Sequence, residues 1–299
     1  MINLSSKSKG FDNVFTEITD SKKLSLNNDN DVHIFCLNMS NNKINYEGLI
    51  EYLRKNIGRY VYSRATIDRF LDNDDGDAIA LNAVKLLRTV NNEKDKGAGG
   101  ELGEILLNLF LEQNLHAPKL LSKMELKTTN NQYVFGSDAI HLLTLGENSY
   151  KLILGEAKIK GSYKSGIDAA FESIIESEKH SNMEISMIER NILFECFDLD
   201  TTEKIKSILI PSKRTANTNI DNAFGIFIGY TLDINNNTYG NTDFREAVKE
   251  KLKEDIINSI PYIENKINSL ELSNYSFYFL PFNDAQKDRV TIMKNLKNE

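Results

Sequence analysis

Cysteine is nearly absent from this 299-residue chain: Cys36 and Cys196 are its two thiols, far apart and without companions at metal-ligand spacing. That pattern excludes a disulfide scaffold and a zinc-thiolate centre, and predicts two buried thiols. Histidine is scarce as well. His33, His116, His141 and His180 lie in separate segments, so only folding could gather them at a zinc ion. Long apolar runs are missing too; Tyr150–Leu154 and Phe224–Ile228 fall far short of the ~20 residues that cross a bilayer. The first residues show no compact apolar stretch with a small-residue cleavage site, so a cytoplasmic location without a membrane partner is expected. Nor is there an excess of positive charge: 36 Lys and Arg stand against 43 Asp and Glu, a formal net charge of −7. Because phosphate contacts supply most non-specific affinity for nucleic acid, this balance argues against a broad basic DNA-binding surface. Either basic residues cluster locally, as at Lys158, Lys160 and Lys164 or at Lys213-Arg214, or another protein delivers the DNA.

What the chain does have is ordinary globular composition, 40% hydrophobic and 26% charged, and enough length for one large domain or two small ones. Residues 1 to 30 are polar and predict an irregular arm or short edge elements. Val32–Leu37 is a short apolar run, and helical spacing appears at Glu47–Ile57, Arg64–Leu71 and Ala78–Val90. The acidic stretch Asp72–Asp77 lacks the downstream glutamate of a calcium loop, so a capped turn is expected there. Asn91–Gly100 reads as a charged, glycine-rich connector. Further on, helical patterns cover Ile167–His180, Phe244–Leu270 with a break or bend at Pro261, and Asp284–Leu296; strands are expected at Ala223–Leu232 and Tyr275–Leu280.

Chemistry concentrates in the middle. Tyr133–Leu145 and Tyr150–Ile159 are apolar runs joined by Gly146-Glu147-Asn148-Ser149, a cluster of turn formers that predicts a hairpin. The first run carries Asp138 and the second Glu156-Ala157-Lys158. With a side-chain period of two, Leu152, Leu154, Glu156, Lys158 and Lys160 share one strand face, which turns from apolar to charged partway along. An acid followed two residues later by lysine is common in so charged a chain: Asp20, Glu125, Glu156 and Glu264 all begin such a triplet. Asp20 lies in an irregular segment and Glu264 in a helical one. Glu125 competes, since Ser122–Thr129 has the makings of a strand, but only Glu156 is preceded by a hairpin-linked aspartate. The ordinary alternative for Glu156 and Lys158 is a salt-bridged strand end. His141, three residues after Asp138, points to the other side of its strand and is expected in the core or behind the site.

A third element precedes the hairpin. Leu102, Ile105, Leu106 and Leu109 have the spacing of an amphipathic helix, with Glu101 and Glu104 on one face outside that stripe. Good N-terminal helix chemistry alone would account for both carboxylates. The order acidic helix, strand-Asp, strand-Glu-x-Lys resembles the PD-(D/E)xK nuclease superfamily. The resemblance implies an α/β fold, a mixed sheet flanked by helices, with added helical N- and C-terminal segments. It assigns Glu104, Asp138, Glu156 and Lys158 as catalytic residues and Asp138, Glu156 and the Ala157 carbonyl as ligands of Mg²⁺, with Mn²⁺ as a substitute. Glu104 is preferred as the helix acid, with Glu101 as the alternative.

The likeness extends further. Val61-Tyr62-Ser63-Arg64, the Gly-Glu-Leu-Gly-Glu-Ile-Leu helix, Gly-Ser-Asp-Ala-Ile-His, Gly-Glu-Ala-Lys and Phe279-Leu280-Pro281-Phe282 resemble the HamA family, the nuclease subunit of the Hachiman anti-phage defence system, over most of the chain. That implies a DNA-degrading effector restrained by a helicase subunit, HamB. The expected division is a mostly helical region 1–95, a candidate for partner binding, and a PD-(D/E)xK-like nuclease region 96–299 with a C-terminal helical extension; one continuous domain is the alternative. A restriction or repair nuclease, and a non-catalytic partner-binding subunit, are the alternatives; the complete Asp, Glu and Lys set speaks against the last.

Overall fold

The computed structural model describes residues 2–18, 26, 30–87, 96–125, 136–178, 186, 199–270 and 272–297. Cys196, His180, Asp20, Tyr133 and the Asn91–Asp95 part of the expected connector lie outside these. Six strands form one mixed sheet: β1 (Phe15–Glu17), β2 (Asp31–Leu37), β5 (Ala139–Gly146), β6 (Ser149–Lys160), β7 (Asn219–Thr231) and β8 (Tyr275–Phe282). Their order is β1-β2-β8-β7-β6-β5, parallel through the middle and antiparallel at both edges. A two-stranded ribbon, β3 (Met39–Ser40) and β4 (Lys43–Ile44), stands apart. The strands contributed by the N-terminal region thus belong to the same sheet as those that follow it.

Alternating side chains give the sheet two apolar faces, as strand geometry requires. Ile153, Ala157 and Ile159 of β6 pack with the helices α2 (Glu47–Val61), α5 (Lys96–Gln113) and α9 (Ala285–Lys297). Leu152 and Leu154 pack on the other side with α6 (Tyr163–Glu178), α7 (Leu199–Leu209) and α8 (Asn241–Leu270). The result is an α/β fold with helices on both faces, as expected. A short α1 (Phe11–Val14) leads into β1, and α3 (Arg64–Asp72) and α4 (Ala78–Leu86) extend beyond α2.

Three readings need correction. Lys96–Gly100, expected in a connector, are the first residues of α5. Pro261 does not interrupt α8, which runs through it as one helix; proline removes a single backbone bond, and buried Ile256, Ile263 and Ile267 hold both halves against the core. Lys123–Glu125 are helical, not extended. Helix α7 was not anticipated at all. The Asp72–Asp77 stretch is a turn, with the Asp74 and Asp75 N–H groups bonded to the Leu71 and Phe70 carbonyls.

Candidate functional site

The site lies where the β5–β6 hairpin opens. Pairing begins at Ala139 opposite Gly155, and the tight Gly146–Ser149 connection at the far end is allowed by Asn148 in the left-handed region, φ 62°. Asp138 stands one residue before β5, not within it. Its N–H donates to the Gly155 carbonyl (2.7 Å), and its side chain turns back to β6, where Oδ2 accepts the Ala157 N–H (2.9 Å). A carboxylate thus takes a bond that a strand carbonyl would otherwise make. Gly155 permits this approach: a Cβ there would stand 2.8 Å from both the Ala139 Cβ and the Leu107 side chain of α5.

Beyond Gly155, β6 keeps its pairing with β7 on one edge, through Lys160 opposite Tyr230. On the other edge the ladder has ended. N–H and C=O of one strand residue face the same edge, so the Ala157 carbonyl points to the side on which Asp138 lies. Glu156 shares its face with Leu152 and Leu154 and is 6% exposed. Lys158, two residues on, forms an ion pair and hydrogen bond with it.

Helix α5 brings a further acid from the opposite side. Gly103 allows the close fit, a Cβ there lying 3.1 Å from that of Ala157. One residue later, half-buried Glu104 accepts a hydrogen bond from the Tyr60 hydroxyl of α2 (3.2 Å). Glu101, one turn earlier, is 3% exposed, so the expectation that both acids lie outside the packed surface fails for it; its charge acts on Tyr60 of α2.

These carboxylates repel one another. The Asp138 carboxyl is raised above its usual range by burial first, then by Glu156 and Glu104; the Ala157 N–H and Lys158 oppose this only partly. Glu156 is raised by burial, against Lys158, a Ser173 hydroxyl bond and the charge of Lys123. Burial, followed by Glu104, Glu101 and Asp138, keeps Tyr60 a neutral donor. All four expected catalytic residues therefore meet in one electrostatic neighbourhood. Tyr60, Ser173 and Lys123 belong to it as well, and no motif or periodicity announced them.

The other candidates take structural roles. Glu125 is a cap: its carboxylate accepts the Ser63 N–H (2.5 Å) and the Thr66 hydroxyl (2.6 Å) at the start of α3. His141 is fully buried, its Nδ1 against the Ala117 carbonyl (2.8 Å) and its Nε2 against Asn108 (3.1 Å). Arg214 binds the Ile208 and Leu209 carbonyls at the end of α7, and Lys213 pairs with Glu203. Cys36 is a buried thiol.

The donor set suits a hard cation. Among the described residues no group of three or more His, Cys, Asp or Glu is gathered to hold a metal by itself. Two carboxylates and a backbone carbonyl match Mg²⁺, which keeps several waters and substrate oxygens in its sphere. A cation would also relieve the repulsion that raises Asp138. No helix among the described residues is long and apolar enough to cross a membrane.

No curated protein matches the chain. The sequence model of the HamA family, by contrast, matches residues 12–296. That span runs from α1 to α9 and contains every residue of the site, so the chain belongs to the HamA family, a component of the Hachiman anti-phage defence system.

Proposed function

We propose that the chain is a metal-dependent DNA nuclease, the effector of its defence system, with a PD-(D/E)xK core. The observation that carries this reading is the placement of Asp138: a carboxylate turned onto β6 beside Glu156, where both acids are held against their mutual repulsion. Such a site is unfavourable for stability and useful for binding a cation. Asp138 through Oδ1, Glu156, and the Ala157 carbonyl would hold Mg²⁺ or Mn²⁺. A bound divalent cation supplies Lewis-acid polarisation of the phosphoryl group and a more acidic water.

The protein's own groups do the rest. Lys158 offers an ammonium to the developing charge on phosphate oxygens and orients the attacking water. Glu104, fixed by Tyr60, accepts a hydrogen bond from that water or from the cation's water ligands. With a net charge of −7, unaided capture of a polyanion is inefficient at physiological salt. A partner that delivers DNA, the helicase HamB, fits that shortfall and would restrain the nuclease until activated.

The test is plasmid cleavage by the purified chain, alone and co-expressed with the helicase. Cleavage should need Mg²⁺ or Mn²⁺, stop in EDTA, and stay low in Ca²⁺. The helicase complex should be stable and silent until DNA and nucleotide are added. Undiminished cleavage after verified metal removal would overturn the metal mechanism; failure of the two proteins to associate would overturn the restrained-effector reading.

A further inference from the structure

A second lysine stands behind the site. Residues 117–125 run from the end of α5 to the edge of the undescribed segment, and their side chains staple three parts of the molecule together. Lys119, 2% exposed, donates to the carbonyls of Arg59 (2.7 Å) and Tyr62 (3.2 Å) at the end of α2, and to the Ser122 hydroxyl (2.7 Å). Glu125 caps α3. Between them Lys123, 8% exposed, reaches the other way and donates to the carbonyl of Ser137, the residue before Asp138.

A buried ammonium is costly unless hydrogen-bonded and electrostatically answered. Lys123 is answered from the site: besides the Ser137 carbonyl it meets the charge of Glu156. Asp138 has no strand of its own to fix it, since β5 begins one residue later. Its backbone is held by the Asp138 N–H to Gly155 on one side and by the Lys123 grip on Ser137 on the other. Loss of that grip frees the peptide that aims the Asp138 carboxylate at β6. The turn carrying Lys123 is anchored by Lys119 and Glu125, and so provides a rigid base for it.

We propose that Lys123 is a positioning residue of the candidate site, holding the Ser137 peptide so that Asp138 and Glu156 present their oxygens together to a divalent cation. The inference rests on the metal-site reading above and adds to it a residue outside the Asp, Glu and Lys motif. Groups that orient metal ligands from behind are worth about 10- to 100-fold in affinity or rate.

Charge and positioning make opposite predictions. Removing a nearby positive charge, by itself, tightens cation binding; removing a positioning contact weakens it. The experiment measures Mn²⁺ binding to the full-length protein without DNA, by electron paramagnetic resonance of free Mn²⁺, for wild type, Lys123→Met and Lys123→Arg. Melting temperature and near-ultraviolet circular dichroism verify folding. Wild type should bind; Lys123→Met should bind about tenfold more weakly, with Lys123→Arg between them. In cleavage, Lys123→Met should lower kcat and leave KM for DNA unchanged.

Unchanged or tighter Mn²⁺ binding by folded Lys123→Met would overturn the inference and leave the nuclease reading intact. Weakened binding in a protein whose wild type cuts no DNA would do the reverse. A wild type that binds no Mn²⁺ removes both. If Lys123→Met does not fold, Lys123→Arg decides, since it keeps the charge and alters the reach: wild-type affinity in that variant would overturn the positioning role.

Discussion

Helix α5 carries a buried acid, Glu112, near its C-terminal end and faces the Asp138 and Glu156 carboxylates with Glu104 further towards its start, and the two ends are treated in opposite ways. Near its C-terminal end Glu112 accepts the Ser5 N–H (2.8 Å), the Ser5 hydroxyl (2.7 Å), the Ser6 N–H (2.5 Å) and the Lys119 N–H (3.1 Å). Burial alone would raise this carboxyl, but the His141 charge and these donors outweigh it and hold it at about 2. Towards the other end, Asp138 is raised by burial and then by Glu156 and Glu104, and Glu156 is raised by burial. Glu112 is met by four donors and fastens residues 5–6 to the core, whereas Asp138 stays raised despite the Ala157 N–H and Lys158. Buried polar groups in a stabilising role are satisfied; the contrast between the two ends is the ground on which the proposed cation site rests.

The largest effect expected from breaking this contrast is on activity. Asp138→Asn, Glu156→Gln and Lys158→Ala should each lower plasmid cleavage by about 10²- to 10³-fold or more. For the first two the melting temperature should hold or rise, because neutralisation removes repulsion. Full activity in folded Glu156→Gln protein would place the chemistry elsewhere.

Next comes stability at the answered end. Glu112→Gln should cost about 3 kcal/mol, the lower range for breaking a buried charged network, read from denaturant midpoints. Cleavage should survive in the folded fraction.

A pH series sharpens the same comparison. The folded pKa of Glu112 lies below its ordinary 4.5, so its contribution is present above 4.5 and is lost as pH falls towards about 2. Burial likewise lowers His141 from 6.5 to about 4, so the fold loses stability as pH falls through that window, where the unfolded chain binds the extra proton. Asp138 and Glu156 have the opposite sign: their raised folded values mean that protonation favours the fold. In wild type these gains offset the His141 loss between pH 6.5 and 4 in urea melts, and Asp138→Asn, which removes the largest of them, should lose stability over that window relative to wild type. A flat profile in Asp138→Asn would show that the His141 ring is not held neutral.

The smallest effect separates the competing motif. Glu125→Gln should cost about 1 kcal/mol, the scale of a helix cap, and leave cleavage within a few-fold of wild type. Abolished cleavage would return Glu125 to the site.

Local patterns were enough to read much of this. The β5–β6 hairpin, the polar turn of β6 at Glu156, and helices α2, α3, α6 and α9 follow from periodicity and turn chemistry, which act within a few residues. The start of α5 looks like a connector because Gly97, Gly99 and Gly100 cluster there, whereas the helix begins at Lys96. Pro261 was overweighted because packing at a distance outlasts one lost bond. Lys123 and Tyr60 were invisible for a different reason: a buried lysine or tyrosine is defined by partners 14 and 44 residues away, and nothing near it in sequence marks the role.

The parallel pairing of β2 with β8 has a consequence in time. Val32 lies opposite Phe277, 245 residues later. At roughly 5–20 residues per second, synthesis leaves that edge of β2 open for on the order of tens of seconds. Met293 and Leu296 of α9, which close the same core face as Leu102 and Ala157, emerge later still. The hairpin and α5 can form early on the ribosome, but the core face they share with Met293 and Leu296 closes only after those residues have emerged, so the candidate site is assembled late in synthesis.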